Sequence, residues 1–206
     1  MTLGIVTGLA AEARLARPLG LALAGGGLPH GAEAAAEWLV AQNVDGLLSL
    51  GLAGGLDPAL RPGDVVLPIA VLEGGRRYAT DPQLSARFGA CGGVLLAGTA
   101  VVAEAREKAR LFATTGAVAI DLESGAVARV AARHGLPFAV LRAICDPAGR
   151  SLPPAALAAL DQAGTIGLWR VLASVARHPG QMPLLIALGR DAAAARAALR
   201  RRVGAA

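Results

Sequence analysis

"AIDLESGAVA", residues 119–128, ends an apolar run at Ile120, presents two carboxylates, Asp121 and Glu123, and then resumes with helix-forming residues. A strand-like run that passes directly into a helix is the repeating unit of an α/β fold. The acids have two readings. Carboxylates suit a helix N-terminus, where unpaired N–H groups meet them. They also suit a site at the end of a strand, and the rest of the chain has to choose.

The same alternation runs outward in both directions. "TLGIVTG" (2–8) predicts a buried strand and "LAAEARLARPLG" (9–20) a short helix ended by Pro18 and Gly20. "LALAGGG" (21–27) is a strand entering a glycine loop, and "PHGAEAAAEWLVAQN" (29–43) is a helix with Pro29 near its start. "VDGLLSLGLAGGL" (44–56) is a strand running into glycines, and "GDVVLPIAVLEGG" (63–75) reads as one more strand. Residues 73–92 are polar and irregular. "GVLLAGTAVV" (93–102) and "PFAVLRAIC" (137–145) are strands, whereas "AEAREKARLFATT" (103–115) and "LESGAVARVAARHG" (122–135) are helices. Helical segments fill 153–176 and 181–202. Such alternation predicts a single-domain, three-layer α/β/α fold with a mixed, mostly parallel central sheet over residues 1–206. Ligands of such sheets lie beyond the carboxyl ends of the strands. Glu12, "GLAGG", the pair Asp121 and Glu123, and Asp146 therefore gather on one edge.

Composition narrows the class. Hydrophobic residues make up 54% of the chain but aromatics only 3%, so the core is built from Ala, Leu and Val. The apolar runs are broken well short of the ~20 residues of a membrane span. Met1 leads directly into a strand-like segment without a basic and apolar leader. Cys91 and Cys145 make neither metal-type spacing nor a disulfide framework, so a cytoplasmic protein with reduced thiols is expected. The net charge of +5 is uneven: residues 165–206 hold seven Arg against Asp191, giving +6, and the remainder carries −1. A neutral body with few aromatics argues against a nucleic-acid face.

Each candidate also has a plain structural reading. Asp146 before Pro147 suits a turn, Glu12 a solvated helix, and "GLAGG" a tight turn. The triple glycine 25–27 suits either an anion-cradling nest or a hinge. It matches neither the GxGxxG nor the Walker pattern, so no nucleotide cofactor is called for. His30, His134 and His178 form no metal-ligand set. Cys145 reads as a small buried thiol rather than a nucleophile.

Three segments in their order resemble the nucleoside phosphorylases and nucleosidases, which cleave the N-glycosidic bond of purine nucleosides. They are "GIVTGLAAEA" (4–13), "SLGLAGGLDPALRPGDVVLP" (49–68) and "AIDLESGAVARVAARHGLPFAVLRAICD" (119–146). The short segment between the first helix and "LAGGGLPHGAEAA" (23–35), and the Pro- and Arg-containing tail "SVARHPGQMPLLIALGRDAAAA" (174–195), resemble the hopanoid-associated group, which implies adenosylhopane as substrate. The resemblance implies that Asp146 protonates the purine at N7 and that Glu123 accepts hydrogen bonds from the ribose hydroxyls. It implies that Glu12 activates water, and that Leu122, Ala53, Gly54, Val101 and Val102 contact the substrate. On this reading Glu123 belongs to a site while Asp121 caps a helix.

The chemistry fits those residue types. Adenine leaves poorly as an anion, so a buried carboxylic acid must supply a proton as the bond breaks. The sugar passes through an oxocarbenium-like state that a carboxylate supports. No cofactor is expected, with phosphate as a co-substrate if water is not the nucleophile. "TGLAAEARLA" (7–16) lacks the Arg- and Gly-rich phosphate loop and resembles the hydrolytic form, while Arg14, Arg76 and Arg77 remain as anion partners. The expected partners are a small or lipid-linked purine nucleoside and further copies of the chain, as a dimer or trimer. The competing functions are a methylthioadenosine/adenosylhomocysteine nucleosidase and a catalytically silent nucleoside-binding module. A basic helical segment, 177–206, is read either as a helix packed on the body or as a peripheral contact with the inner membrane surface.

Overall fold

A computed structural model describes residues 2–153, 156 and 179–205. Its elements run β1 (Leu3–Thr7), α1 (Ala10–Ala16), β2 (Gly20–Ala24), α2 (Pro29–Ala41), β3 (Gly46–Gly55), β4 (Val65–Val66), β5 (Ala70–Glu73) and β6 (Arg76–Ala79). They continue with α3 (Pro82–Ala86), β7 (Val94–Ala97), α4 (Ala105–Thr115), β8 (Ala119–Asp121), α5 (Ser124–His134), β9 (Phe138–Asp146) and α6 (Met182–Val203). The described strands form one sheet in the order β2-β1-β3-β8-β7-β5-β6, and β9 pairs with both β3 and β4. The β1–β2, β1–β3, β3–β9, β5–β7 and β7–β8 pairs are parallel; β3–β8, β4–β9 and β5–β6 are antiparallel. The sheet is mixed and mostly parallel, with helices on both faces.

Strand periodicity divides the core in two. On β3, Leu47 and Ala53 face the cluster packed by α2 and α5, while Leu48 and Leu50 face the cluster packed by α3 and α6. On β9, Phe138, Val140 and Ile144 take the first face, and Ala139, Leu141 and Ala143 the second. The alternation follows from side chains pointing to opposite faces at successive positions. The first face is interrupted at three in-phase positions, Ser49, Gly51 and Arg142, all buried. Those interruptions position the site.

Several segments differ from the sequence reading. "GLAGG" is not a turn, because β3 runs through Gly55 with an irregularity between Ala53 and Gly54. "GDVVLPIAVLEGG" is two strands, since Pro68 has no N–H for a ladder; β4 turns to β9, and β5 joins β7. The stretch 73–92 contains β6 and α3, whose Asp81 accepts the Leu84 N–H at 2.7 Å as an N-cap. β7 stops at Ala97, leaving Val101 and Val102 in a loop. The helix expected over 153–176 falls, except at Pro153 and Ala156, outside the described residues.

The terminal helix packs on the body. α6 buries Ala195, Ala198, Leu199 and Val203 in the second core cluster, while Met182, Leu184 and Ile186 at its start are exposed. No described helix is long and apolar enough to cross a membrane.

Candidate active site

Arg142 is the centre of the site. It occupies a core-facing position of β9 with 1% of its surface exposed, in the series where Val140 and Ile144 are apolar. A buried guanidinium requires partners, and the neighbouring strand β3 and the junction of β8 with α5 supply them. Arg142 Nη1 lies 3.0 Å from Glu123 Oε2, and Nε lies 2.6 Å from Asp121 Oδ2. The second contact is short but not aligned as a hydrogen bond, so its attraction is electrostatic. Nη2 donates to Ser49 Oγ at 2.6 Å and Nη1 to the Leu52 carbonyl at 3.2 Å. Ser124 Oγ donates to Asp121 Oδ2 and stands 3.0 Å from Ser49 Oγ.

Two glycines make room for this cluster. A Cβ at Gly51 would stand 2.6 Å from Arg142 Nη1, and one at Gly8 would stand 2.8 Å from Glu123 Oε1. Glu12 enters from α1, where its Oε2 accepts the Leu9 N–H at 3.0 Å. It is 4% exposed rather than solvated, and its Oε2 is 3.2 Å from the same Gly51 Cβ position. Both acids of 119–128 join this cluster, and the helix-cap geometry belongs to Asp121. Asp121 Oδ1 accepts the Ser124 N–H at 3.2 Å at the start of α5, and Glu123 makes no such cap.

The electrostatics follow from three carboxylates around one cation. Burial pushes Glu123 up to about 7, with the charges of Asp121 and Glu12 adding to the rise and Arg142 opposing it. Burial also raises Glu12, against the Leu9 N–H and the charge of Arg142. Burial alone would lower Arg142, but Asp121, Glu123 and Glu12 more than offset it and hold the guanidinium charged.

Asp146 ends β9 and is 6% exposed. Its Oδ2 accepts from Lys108 Nζ of α4 at 2.6 Å, and its Oδ1 is buried without a hydrogen-bond partner. Burial raises the Asp146 carboxyl above its ordinary value, while Lys108 and Arg150 pull it down. Cys145 donates to the Ala53 carbonyl at 3.6 Å, and burial with the charges of Asp146 and Glu12 pushes its thiol up to about 12. Such a thiol is no nucleophile at neutral pH.

The remaining expectations separate. Ala53 is in the core and contributes backbone, Gly54 lies beside Ile120 and Asp146, and Leu122 is half-buried between the two acids. Val102 packs with Leu56 and Ile120, whereas Val101 is 40% exposed on the loop after β7. Within the triple glycine, Gly25 packs closely on α2, where a Cβ would lie 2.6 Å from the Ala32 nitrogen. A Cβ at Gly27 would come 3.9 Å from Glu123 Oε1, so this loop borders the site. Arg14, Arg76 and Arg77 are exposed, and Arg76 stacks 5.7 Å from the Tyr78 ring. A cavity of about 470 Å³ lies at the start of β9, the wrong end for a ligand of such a sheet. Another of about 410 Å³, bounded by Pro29, Glu73, Gly98, Thr99 and Arg129, opens at the correct edge.

Arg142 and Lys108 are two buried cations of the candidate site that motif reasoning missed. Both carried a signal. Arg142 is the lone charge inside the apolar run "FAVLRAIC", and Lys108 shares a helical stripe with Leu111, Phe112 and Thr115.

Comparison with known proteins agrees with this architecture. The methylthioadenosine/S-adenosylhomocysteine nucleosidase of Colwellia psychrerythraea, solved with adenine, superposes with a TM-score of 0.66 at 20% identity over 85% of this chain and 95% of its own. Futalosine hydrolase of Helicobacter pylori gives 0.66 at 18% identity, covering 86% and 98%. The corresponding nucleosidase of Neisseria meningitidis, solved with methylthio-immucillin-A, gives 0.64 at 18% identity, covering 85% and 98%. At these identities the likeness establishes the fold. The family match is made in sequence, over residues 13–90 and 83–167, and by it the chain belongs to the phosphorylase superfamily.

Proposed function

We propose that the protein cleaves the N-glycosidic bond of an adenine nucleoside with water as the nucleophile. The observation that carries this reading is the charge of the Arg142 cluster. Three carboxylates, Asp121, Glu123 and Glu12, surround a single guanidinium. With the Arg142 donors taken up by Glu123, Ser49 and the Leu52 carbonyl, the cluster offers no free cation to a phosphate dianion, whereas its acids suit a water that must lose a proton.

Asp146 gives its proton to N7 of the base as the C1′–N9 bond breaks and the bonding pair passes to the purine. Glu123 accepts hydrogen bonds from the ribose hydroxyls and supports the cationic sugar. Water adds to C1′, and its proton passes to Glu12. Arg142 holds Glu123 and Asp121 in place and keeps the closely spaced acids compatible with one another. No cofactor takes part. The structural neighbours support the same reading, since one was solved with adenine and another with a methylthio-immucillin. Incubation with methylthioadenosine, adenosine and adenosylhopane, each with and without phosphate, should release adenine at a rate independent of phosphate. Turnover that requires phosphate would replace water as the nucleophile, and adenine binding without turnover would make the chain a binding module.

We further propose an adenosine bearing a large apolar 5′ group, adenosylhopane, as the substrate, cleaved by a homo-oligomer at a membrane surface. The resemblance of the tail to the hopanoid-associated group supports it, as do exposed Met182, Leu184 and Ile186 beside exposed Arg190. Methylthioadenosine as the better substrate, or failure of the protein to pellet with anionic liposomes at low salt, would return the reading to a small-nucleoside hydrolase.

A further inference from the structure

The geometry points to Lys108 as a positioning residue for the general acid, one that selects which oxygen of Asp146 carries the transferable proton. This rests on the nucleosidase reading above and deepens it. Lys108 is fully buried, and its ammonium donates to Asp146 Oδ2 at 2.6 Å, to the Arg150 carbonyl at 2.8 Å and to the Pro147 carbonyl at 3.2 Å. All three of its protons are thereby used. The lysine thus ties the acid to its own following loop, and it leaves Asp146 Oδ1 as the oxygen without a protein partner. A neutral carboxyl beside a fixed ammonium keeps its carbonyl oxygen toward the cation and its O–H on the other side. The proton therefore sits on Oδ1, where the base must receive it.

The second consequence is electrostatic. When the proton leaves for N7, Asp146 becomes a buried carboxylate, and Lys108 is the cation in contact with the charge that develops. The charged groups facing Asp146 among the described residues are Lys108 from α4 and Arg150 from the loop, with the Cys145 thiol adjoining. Lys108 acts in the downward direction, so without it the carboxyl holds its proton to higher pH and gives it up less readily.

The test uses full-length wild type, Lys108→Met and Lys108→Gln, with folding checked by thermal denaturation. Gln retains a donor without the charge, which separates the hydrogen bond from the cation. The substrates are methylthioadenosine, which needs protonation of the base, and para-nitrophenyl β-riboside, whose leaving group departs without it. Both variants should lose about tenfold or more in kcat for adenine release, short of the ~10²–10⁴ attributable to the acid itself. The alkaline limb of their rate profile should move to higher pH, and cleavage of the nitrophenyl riboside should stay within about threefold of wild type. An unmoved limb in a folded variant, or equal losses on both substrates, would overturn the assignment. Infrared titration of the Asp146 carboxyl, identified by subtraction of Asp146→Asn, reads the same shift without turnover. An inactive wild type would therefore reject the nucleosidase reading while the titration still decides the role of Lys108.

Discussion

Gly51 on β3 lies in register with Arg142 on β9, and a Cβ there would stand 2.6 Å from Arg142 Nη1. The absent side chain is thus what admits the guanidinium to the sheet. Gly51→Ala must displace Arg142 from Glu123 and Asp121, an overpacking that costs about 1–3 kcal/mol. The expected result is a lower midpoint in urea together with a large loss of adenine release. A variant of normal stability and activity would mean that Arg142 can sit elsewhere.

Asp146→Asn keeps the shape of the acid and its contact with Lys108, but it removes the transferable proton. Adenine release should fall by roughly 10²–10⁴. Near-wild-type turnover in a folded variant would take the general-acid role away from Asp146.

Glu123 should matter through the ribose hydroxyls. Its replacement by Gln is expected to penalise a ribonucleoside more than the matching 2′-deoxynucleoside, measured as kcat/KM on both. Equal penalties would leave Glu123 only its place beside Arg142.

The same substitution makes a stability prediction of opposite sense. Glu123 is raised from 4.5 to about 7 in the folded protein, so the native state holds this proton more tightly than the unfolded chain. Its contribution is fully present below about pH 4.5 and is lost as pH rises through about 7. Glu123→Gln removes that loss, while Asp121 and Glu12 still balance Arg142. The variant should match wild type at about pH 4 and melt about 3–6 °C higher at about pH 8. A lower melting temperature at pH 8 would show that the Glu123–Arg142 pair is net stabilising.

The order of strands and helices was legible because the pattern switches cleanly between periods at β1, β3, β8 and β9. The acids were legible because each ends or follows a strand, and the sheet brings those ends to one edge. Pro68 was the sign of two strands in "GDVVLPIAVLEGG", but periodicity alone bridges it, since both halves are apolar. Pairing was less legible still, because β4 and β5 choose different partners and partner choice is a property of the whole sheet. Arg142 and Lys108 escaped for another reason. Each is a cation on an otherwise apolar face, and its meaning depends on acids 19 and 38 positions away in sequence that only the fold brings close.

The packing of α6 has a consequence for how the tail can be studied. Ala195, Ala198 and Leu199 cover the face of the sheet opposite Arg142, and Asp191 pairs with Arg150, whose carbonyl holds Lys108. The C-terminus is therefore a buttress for the strand that bears the acid. A deletion made to test membrane attachment would strip that support and register as a dead enzyme, whatever the membrane does. Point changes at the exposed turn, such as Leu184→Ser with Ile186→Ser, leave the buttress standing and let location and catalysis be measured separately.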